Sequence, residues 1–213
     1  MEYILGLYAV GYDESFPLVC FDERPCFLIG DTVRGLPMKS GQVAKENYTY
    51  TKRGSCCVLA MIEPKTGKRL AHVRKQRRKK EFCLFMENLA KLYPKAKKIR
   101  VVLDNLNTHN FSSFYQHLPA DAAAKLRDRF EFIYTPKGAS WLNMIEIEFS
   151  ALARQCLNRR IPTIRELANE VITYFKKRME LRILINWQFT QDDARTKLRR
   201  HYVKVNSHNR HIL

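Results

Sequence analysis

Four acidic side chains occupy positions from which they could do chemistry. Asp22 and Asp104 each close a short apolar run that predicts a buried strand, while Glu146 and Glu148 lie in the run 142–157, which predicts a helix. Side chains at the carboxyl ends of neighbouring strands converge on one crevice of an α/β sheet. Carboxylates gathered there repel one another unless a hard cation such as Mg²⁺ neutralises them. The pattern favours two-metal phosphoryl transfer; the alternative is strand-end and helix-cap residues without chemistry.

Helix geometry does not decide which glutamate belongs to this set. The inward stripe of the predicted helix consists of apolar residues at helical spacing: Leu142, Ile145, Phe149, Leu152 and Cys156. At about 100° per residue, Glu146 and Glu148 flank this stripe by roughly 80° on either side. The periodicity therefore leaves both glutamates as candidates.

The charge balance indicates a polyanionic partner. The chain of 213 residues carries 38 Lys plus Arg against 21 Asp plus Glu, a net charge of +17. Residues 1–31 hold six of the acids and a single base, so the rest of the chain is still more basic. Such an excess favours nucleic acid as the partner, although a generally basic protein without catalytic function has the same composition.

Basic clusters provide candidate phosphate contacts. The segment from Arg74 to Lys80 has six bases in seven residues, and the alternative for it is a solvated turn. We expect Lys176, Lys177 and Arg178 to form a solvated helix face. The candidate DNA-binding residues are Arg74, Lys75, Arg77, Arg78, Lys79, Lys80, Lys137, Arg159 and Arg160.

The elements that must position the acids follow from the hydrophobic pattern. Two apolar runs, 18–22 and 26–30, flank Pro25 and predict two strands joined by a tight turn, followed by an extended loop over 31–54. A hairpin with its turn at 64–67 comes next. Further strands are predicted at 99–104 and 130–134.

Helical periodicity separates and follows these strands. Helices are predicted from Lys80 to Tyr93, over 111–129, over 142–157, and after a capping-box signature at Thr163. The inner face of that last helix is predicted to hold Ile164, Leu167, Val171, Ile172, Phe175 and Met179. The order predicts an α/β fold, a mixed sheet with helices on its faces.

The remaining composition bounds the class of protein. The six cysteines form no C-x-x-C pair and mostly lie in apolar runs, which favours reduced core residues. No run approaches the roughly 18–20 apolar residues of a membrane helix. We expect an intracellular protein without membrane partners.

Three blocks of sequence resemble the catalytic domain of bacterial insertion-sequence transposases in the mariner-like DDE superfamily. They are Val19-Cys-Phe-Asp-Glu23, Val101-Val-Leu-Asp-Asn-Leu-Asn-Thr-His109 and Tyr134-Thr-Pro-Lys-Gly-Ala-Ser-Trp-Leu-Asn-Met-Ile-Glu146. The resemblance implies a ribonuclease-H-like fold with five strands, the first three antiparallel and the others parallel. It also implies that Asp22, Asp104 and Glu146 are the catalytic and metal-binding residues. Asn105 and His109 match supporting residues that orient Asp104 or touch the phosphate.

The resemblance extends to function and partners. It implies DNA cleavage at the element ends and strand transfer of the 3′-hydroxyl into target DNA at TA sites, with two Mg²⁺ ions for which Mn²⁺ can substitute. It further implies a homodimer that pairs two ends, in the bacterial cytoplasm at the nucleoid. The alternatives are a non-catalytic DNA-binding remnant and a ribonuclease-H-like nuclease acting on another substrate.

The domain organisation is expected to depart from that of the relatives. Relatives usually begin with helix-turn-helix modules, for which there is no room before Asp22, so we expect a separate helix-turn-helix half. Residues 1–12 are predicted to be a connector remnant, 13–202 the catalytic domain, and 203–213 a loose basic tail. His201, His208 and His211 lack companion ligands and are not expected to bind metal.

Overall fold

A computed structural model describes residues 1–206 of the chain. Five strands alternate with eight helices, and a short 3-10 turn over Ser140–Leu142 precedes the fifth helix. The strands are β1 (Leu18–Asp31), β2 (Tyr50–Ile62), β3 (Arg69–Arg74), β4 (Ile99–Leu103) and β5 (Phe130–Tyr134). The helices are α1 (Glu2–Ala9), α2 (Lys79–Leu92), α3 (Ser112–Tyr115), α4 (Ala120–Asp128), α5 (Ile145–Gln155), α6 (Ile164–Glu180), α7 (Gln191–Lys197) and α8 (Arg199–Val205).

The sheet has the expected mixed topology. Its spatial order is β3-β2-β1-β4-β5; β2 pairs antiparallel with β1 and with β3, and β4 pairs parallel with β1 and with β5. The predicted hairpin at 64–67 joins β2 to β3. The five-stranded α/β fold predicted from the sequence is therefore confirmed.

The predicted turn at 23–25 is wrong, because a single strand of 14 residues runs from Leu18 to Asp31. This strand pairs with β4 only over Leu18–Cys20, and beyond Cys20 only β2 accompanies it. Pro25 is tolerated since a strand with a neighbour on one side has N–H groups that need no ladder partner. Asp22 consequently lies inside β1 rather than at its end, and β2 begins within the stretch predicted as loop.

Two cores cover the two faces of the sheet. On one side α2, α3 and α4 pack with Phe21, Leu59 and Val101. On the other side α1, α5, α6 and α7 pack with Cys20, Val58 and Val102. Adjacent buried residues of β1 and of β2 belong alternately to the two cores, because neighbouring side chains of a strand point to opposite faces of the sheet.

The helices lie where the sequence predicts them, with two differences: one predicted helix is divided, and one residue predicted to face inward is exposed. The stretch 111–129 holds two short helices instead of one, because Pro119 starts a new helix and lacks the N–H that would continue the first. In α6 the Thr163 hydroxyl accepts a hydrogen bond from the Glu166 N–H, which confirms the cap. Ile172, predicted to face inward, is 42% exposed.

The N-terminal helix packs into the core. Helix α1 forms within the predicted connector, and its Ile4, Leu5 and Tyr8 are buried. Helix α8 extends to Val205, so it includes the first residues of the predicted tail; His208 and His211 lie outside the described residues. Within residues 1–206, no helix combines the length and the apolarity that crossing a bilayer requires. All six cysteines are buried with free thiols.

Candidate active site

The register of the central strands brings two aspartates to the same level. Cys20 of β1 lies opposite Val102 of β4, so Asp22 and Asp104, each two residues further along, are level with each other. Asp104 directly follows β4, whereas β1 continues beyond Asp22. The parallel arrangement of β1 and β4 thus produces the strand-end crevice in which acidic side chains converge.

The third acid is brought to this crevice by the start of α5. Glu146 lies in the first turn of α5 and is exposed. Two residues before the helix, Asn143 is 1% exposed and its Nδ2 donates to the backbone oxygen of Phe21 over 2.8 Å. The same nitrogen lies 3.5 Å from Asp22 Oδ2. Asn143 therefore ties the beginning of α5 to the strand that carries Asp22.

The charges of Asp104 and Glu146 both act on the carboxyl group of Asp22. Burial, with smaller contributions from these two charges, raises the pKa of Asp22 to about 7 against a hydrogen bond from the Glu23 N–H. A carboxylate in this environment is stabilised by a cation. Oxygen donors of this type are those that Mg²⁺ and Mn²⁺ prefer, so the donor set fits such an ion.

The carboxylates do not form a closed metal cage. Among the described residues, no group of three or more His, Cys, Asp or Glu side chains is arranged to hold a metal ion. Mg²⁺ commonly keeps several waters and is bound through one or two carboxylates together with substrate phosphates. The open arrangement is compatible with that mode of binding.

His109 is packed beside Asp104. Its Nδ1 lies 2.5 Å from Asp104 Oδ1, its Nε2 lies 3.2 Å from Glu23 Oε1, and the residue is 1% exposed. Burial opposes a charged ring, but the two carboxylates outweigh it and raise the pKa of His109 to about 9. In turn the hydrogen bond from His109 lowers the pKa of Asp104, with a smaller contribution from the charge of Arg77. A ring so deeply buried is suited to orienting Asp104 rather than to touching DNA.

Glu148 points away from the crevice and into the protein. Its side chain is 0% exposed and its carboxylate binds the guanidinium groups of Arg69 and Arg178, at 3.0 Å and 2.7 Å. The expectation that Arg178 is part of a solvated face is wrong, because its side chain is 14% exposed and turned toward Glu148. Helix α5 thus separates its two glutamates, one toward solvent and one toward the core.

The candidate DNA-binding residues fall into two groups. Lys75, Arg77 and Arg78 are exposed between β3 and α2, and Lys80 is exposed in the first turn of α2. Lys137 is exposed in the loop before α5, as Asn105 is after β4. Others are engaged within the protein. Arg159 pairs with Glu170, and Arg160 donates to Asp31 over 2.7 Å and to two backbone oxygens of the β1–β2 loop. The first group is freer to contact phosphate.

The sequence did not predict the contacts of Glu23 and Arg69, or the hydrogen bond by which Asn143 links the start of α5 to β1. The signal for Glu23 was an acid next to Asp22 in an otherwise apolar strand of a chain that has few acids. Nothing local marked Arg69, whose partner Glu148 is 79 residues away. The contact of Asn143 with Phe21 is likewise long-range.

The mixed five-stranded sheet flanked by helices is a ribonuclease-H-like fold. Residues 17–168 match the family model described as DDE superfamily endonuclease. The chain therefore belongs to the DDE superfamily endonucleases, as the sequence blocks predicted. Endonucleases of this family generally use divalent metal ions. A comparison with curated protein sequences found no significant match.

Solved structures of a mariner transposase have the same fold. The Mos1 mariner paired-end complex with Mn matches with a TM-score of 0.55 and 14% identity, over 83% of this chain and 52% of that one. The Mos1 transposase paired-end complex with the left transposon end matches with a TM-score of 0.55 and 13% identity, over 82% and 52%. The Mos1 strand transfer complex gives 0.55 and 15%, over 82% and 51%. The chain spans about half the length of these structures.

Proposed function

We propose that the chain is the catalytic domain of a transposase that cleaves DNA at element ends and transfers the 3′-hydroxyl into target DNA, at TA sites. The observation that supports the proposal is that Asp22 is level with Asp104 and that the charges of Asp104 and Glu146 both act on Asp22, within the span that matches the endonuclease family. We propose these three as the catalytic residues. The catalytic domain limits predicted from the sequence, residues 13–202, remain part of this proposal.

The residues of the crevice have different roles in the proposed reaction. Asp22, Asp104 and Glu146 would hold two Mg²⁺ ions, or Mn²⁺ in their place, and bound ions supply an activated water or 3′-hydroxyl and neutralise charge on the leaving oxygen. Asn143 holds the start of α5 against β1. His109 holds one oxygen of Asp104. The protein thus contributes mainly positioning and electrostatics, as is usual in phosphoryl transfer.

DNA would reach the crevice along the exposed cations. Lys75, Arg77, Arg78 and Lys80 lie in the segment that leads into α2, and Arg77 is near enough to Asp104 to act on its pKa. Lys137 lies in the loop before α5. A homodimer pairing two element ends is proposed because the similar Mos1 structures are paired-end and strand-transfer complexes.

A cleavage assay tests the proposal. The chain is incubated with Mg²⁺ or Mn²⁺ and with duplex DNA ending in the terminal repeats that flank its own coding sequence. We expect nicking at the repeat end that Asp104→Asn abolishes, whereas the exposed control Asp121→Asn leaves it unchanged. A pre-cleaved 3′-end incubated with plasmid then tests for strand transfer.

The rival functions give different results in the same assay. Binding without any cleavage at all metal concentrations contradicts the proposal and supports a DNA-binding remnant. Preferential cleavage of an RNA–DNA hybrid contradicts it in favour of a nuclease with another substrate. Cleavage that survives Asp104→Asn would show that the nuclease site lies elsewhere.

A further inference from the structure

Glu23 is a buried acid for which the proposed reaction has no direct use. It follows Asp22 in β1, and because successive strand residues point to opposite faces, it lies with Phe21 on the α2 side of the sheet. Its side chain is 2% exposed. A carboxylate removed from water in this way is strongly destabilised unless a cation compensates it.

The carboxylate of Glu23 lies against the imidazole of His109. Its Nε2 lies 3.2 Å from Glu23 Oε1, while Nδ1 of the same ring lies 2.5 Å from Asp104 Oδ1. The ring of His109 therefore contacts both Glu23, on the α2 side of the sheet, and Asp104, in the crevice. We call Glu23, His109 and Asp104 together the relay.

The ring of His109 has little freedom to move. It packs between Phe21 and Phe82, with ring centroids at 5.2 Å and 5.0 Å. Its backbone is held as well, because its N–H donates to the Leu106 oxygen and its carbonyl accepts from the Tyr134 hydroxyl over 2.8 Å. The direction in which Nδ1 points is thus fixed by the surrounding protein.

The carboxylate of Asp104, by contrast, is oriented by hydrogen bonds from other residues. Its side chain is 41% exposed at the end of β4. Both of its hydrogen bonds end on Oδ1, one from His109 and one from the Leu106 N–H at 3.3 Å. This one-sided pattern restrains the rotation of the carboxylate and leaves Oδ2 for the crevice. Partners that orient metal-binding groups in this way commonly affect metal affinity and rate.

We propose that Glu23 is a positioning residue that acts through His109 to hold the Asp104 carboxylate in the orientation that presents Oδ2 to a metal ion. The inference rests on the proposed function, in which Asp104 binds metal. The ring of His109 is held between two carboxylates, with Glu23 Oε1 at 3.2 Å from Nε2 and Asp104 Oδ1 at 2.5 Å from Nδ1. Without it Nε2 loses its anionic partner, and the ring no longer fixes Asp104.

The test compares Glu23→Gln with a matched buried control. Glu63→Gln also removes a buried carboxylate, 1% exposed, which follows β2 and accepts a hydrogen bond from the Thr66 hydroxyl instead of contacting His109. The measurements are Mn²⁺ affinity of the whole chain without DNA, the single-turnover cleavage rate, DNA affinity and the melting temperature. We expect Glu23→Gln to weaken Mn²⁺ binding and slow cleavage by about 10–100-fold with DNA affinity nearly unchanged, and Glu63→Gln to affect only the melting temperature.

A double-mutant cycle separates the relay from independent contributions. If Glu23 acts through His109, then His109→Gln and the double variant lose about the same amount as Glu23→Gln, because residues that work as a unit are not additive. Glu23→Asp, which restores the charge, should recover part of the affinity. Additive losses, or wild-type Mn²⁺ affinity in Glu23→Gln, overturn the inference.

A spectroscopic readout keeps the inference distinct from the proposed function. The carboxyl carbon of Asp104 can be followed by NMR without metal or DNA, and Glu23→Gln should shift it while Glu63→Gln should not. If the wild-type chain fails to cleave but shows this shift and binds Mn²⁺, the transposase proposal fails and the relay stands. An unchanged Asp104 signal overturns the relay even if the wild-type chain is an active transposase.

Discussion

The two glutamates of α5 allow a direct test of which side of the helix faces the core and which side faces the crevice. Glu148 is completely buried between two arginines, with Arg69 Nη2 and Arg178 Nη2 both 3.1 Å from Oε2, whereas Glu146 is exposed in the crevice. Replacing Glu148 with glutamine keeps the shape of the side chain and removes its charge. Arg69, whose side chain is also 0% exposed, is then a buried cation without a counter-ion.

The expected loss of stability can be estimated from this arrangement. Removing one partner of a buried ion pair destabilises a protein by about 3–5 kcal/mol. For a domain of this size, each kcal/mol lowers the melting temperature by about 2–4 °C, so Glu148→Gln should lower it by roughly 6–20 °C. Glu146→Gln changes an exposed side chain and should shift it by no more than about 2 °C.

Thermal unfolding followed by circular dichroism and the cleavage assay together check this reasoning. We expect Glu146→Gln to melt as the wild type and to lose cleavage while still binding DNA. Glu148→Gln should melt early yet cleave at temperatures where it remains folded. If Glu148→Gln melts as the wild type, or if it is the variant that loses cleavage while fully folded, the assignment of the two faces of α5 is refuted.

Three further outcomes are expected. Replacing Arg77 and Lys80 with alanine should reduce the slope of log affinity against log salt for DNA by about 2, measured by fluorescence anisotropy, and an unchanged slope would exclude them as phosphate contacts. Burial lowers the pKa of His72 to about 4, so its neutral ring stabilises the fold fully above about pH 6.5 and progressively less as the pH falls toward 4. Between these pH values, the melting temperature of His72→Gln should therefore fall less than that of the wild type. An equal fall in both proteins would contradict this explanation. Thr163→Ala, which removes the cap of α6, should cost about 1 kcal/mol in urea unfolding, with exposed Thr173→Ala as the control.

Much of the fold follows from local patterns in the sequence. The apolar runs at β4 and β5 and the three-to-four spacing in α2 and α5 fix element type, because burial on one face imposes the period of the element. The inward stripe of α5 was confirmed at all five positions. The exception was β1, where a proline inside an apolar run reads as a turn, and only the absence of a second neighbouring strand makes it acceptable.

The site was less accessible to sequence reasoning, because its arrangement depends on contacts between distant segments. Periodicity placed Glu146 and Glu148 symmetrically, and resemblance was needed to choose between them. In the structure the symmetry is broken by Arg69 of β3 and Arg178 of α6, which approach α5 from one side only. The role of Glu23 was hidden for the same reason, since its partner His109 follows a different strand.

The unpaired side of β1 has a consequence for strand pairing with other chains. Beyond Cys20 this strand borders the crevice with one edge free of β4, and a free edge is a template on which another chain can add a strand. Pro25 offers no N–H there, and the Ile29 N–H is already bonded to the Ile161 oxygen over 3.0 Å. The edge is thereby protected against strand addition, and the space beside the carboxylates stays open for a molecule that binds through charge rather than through backbone pairing.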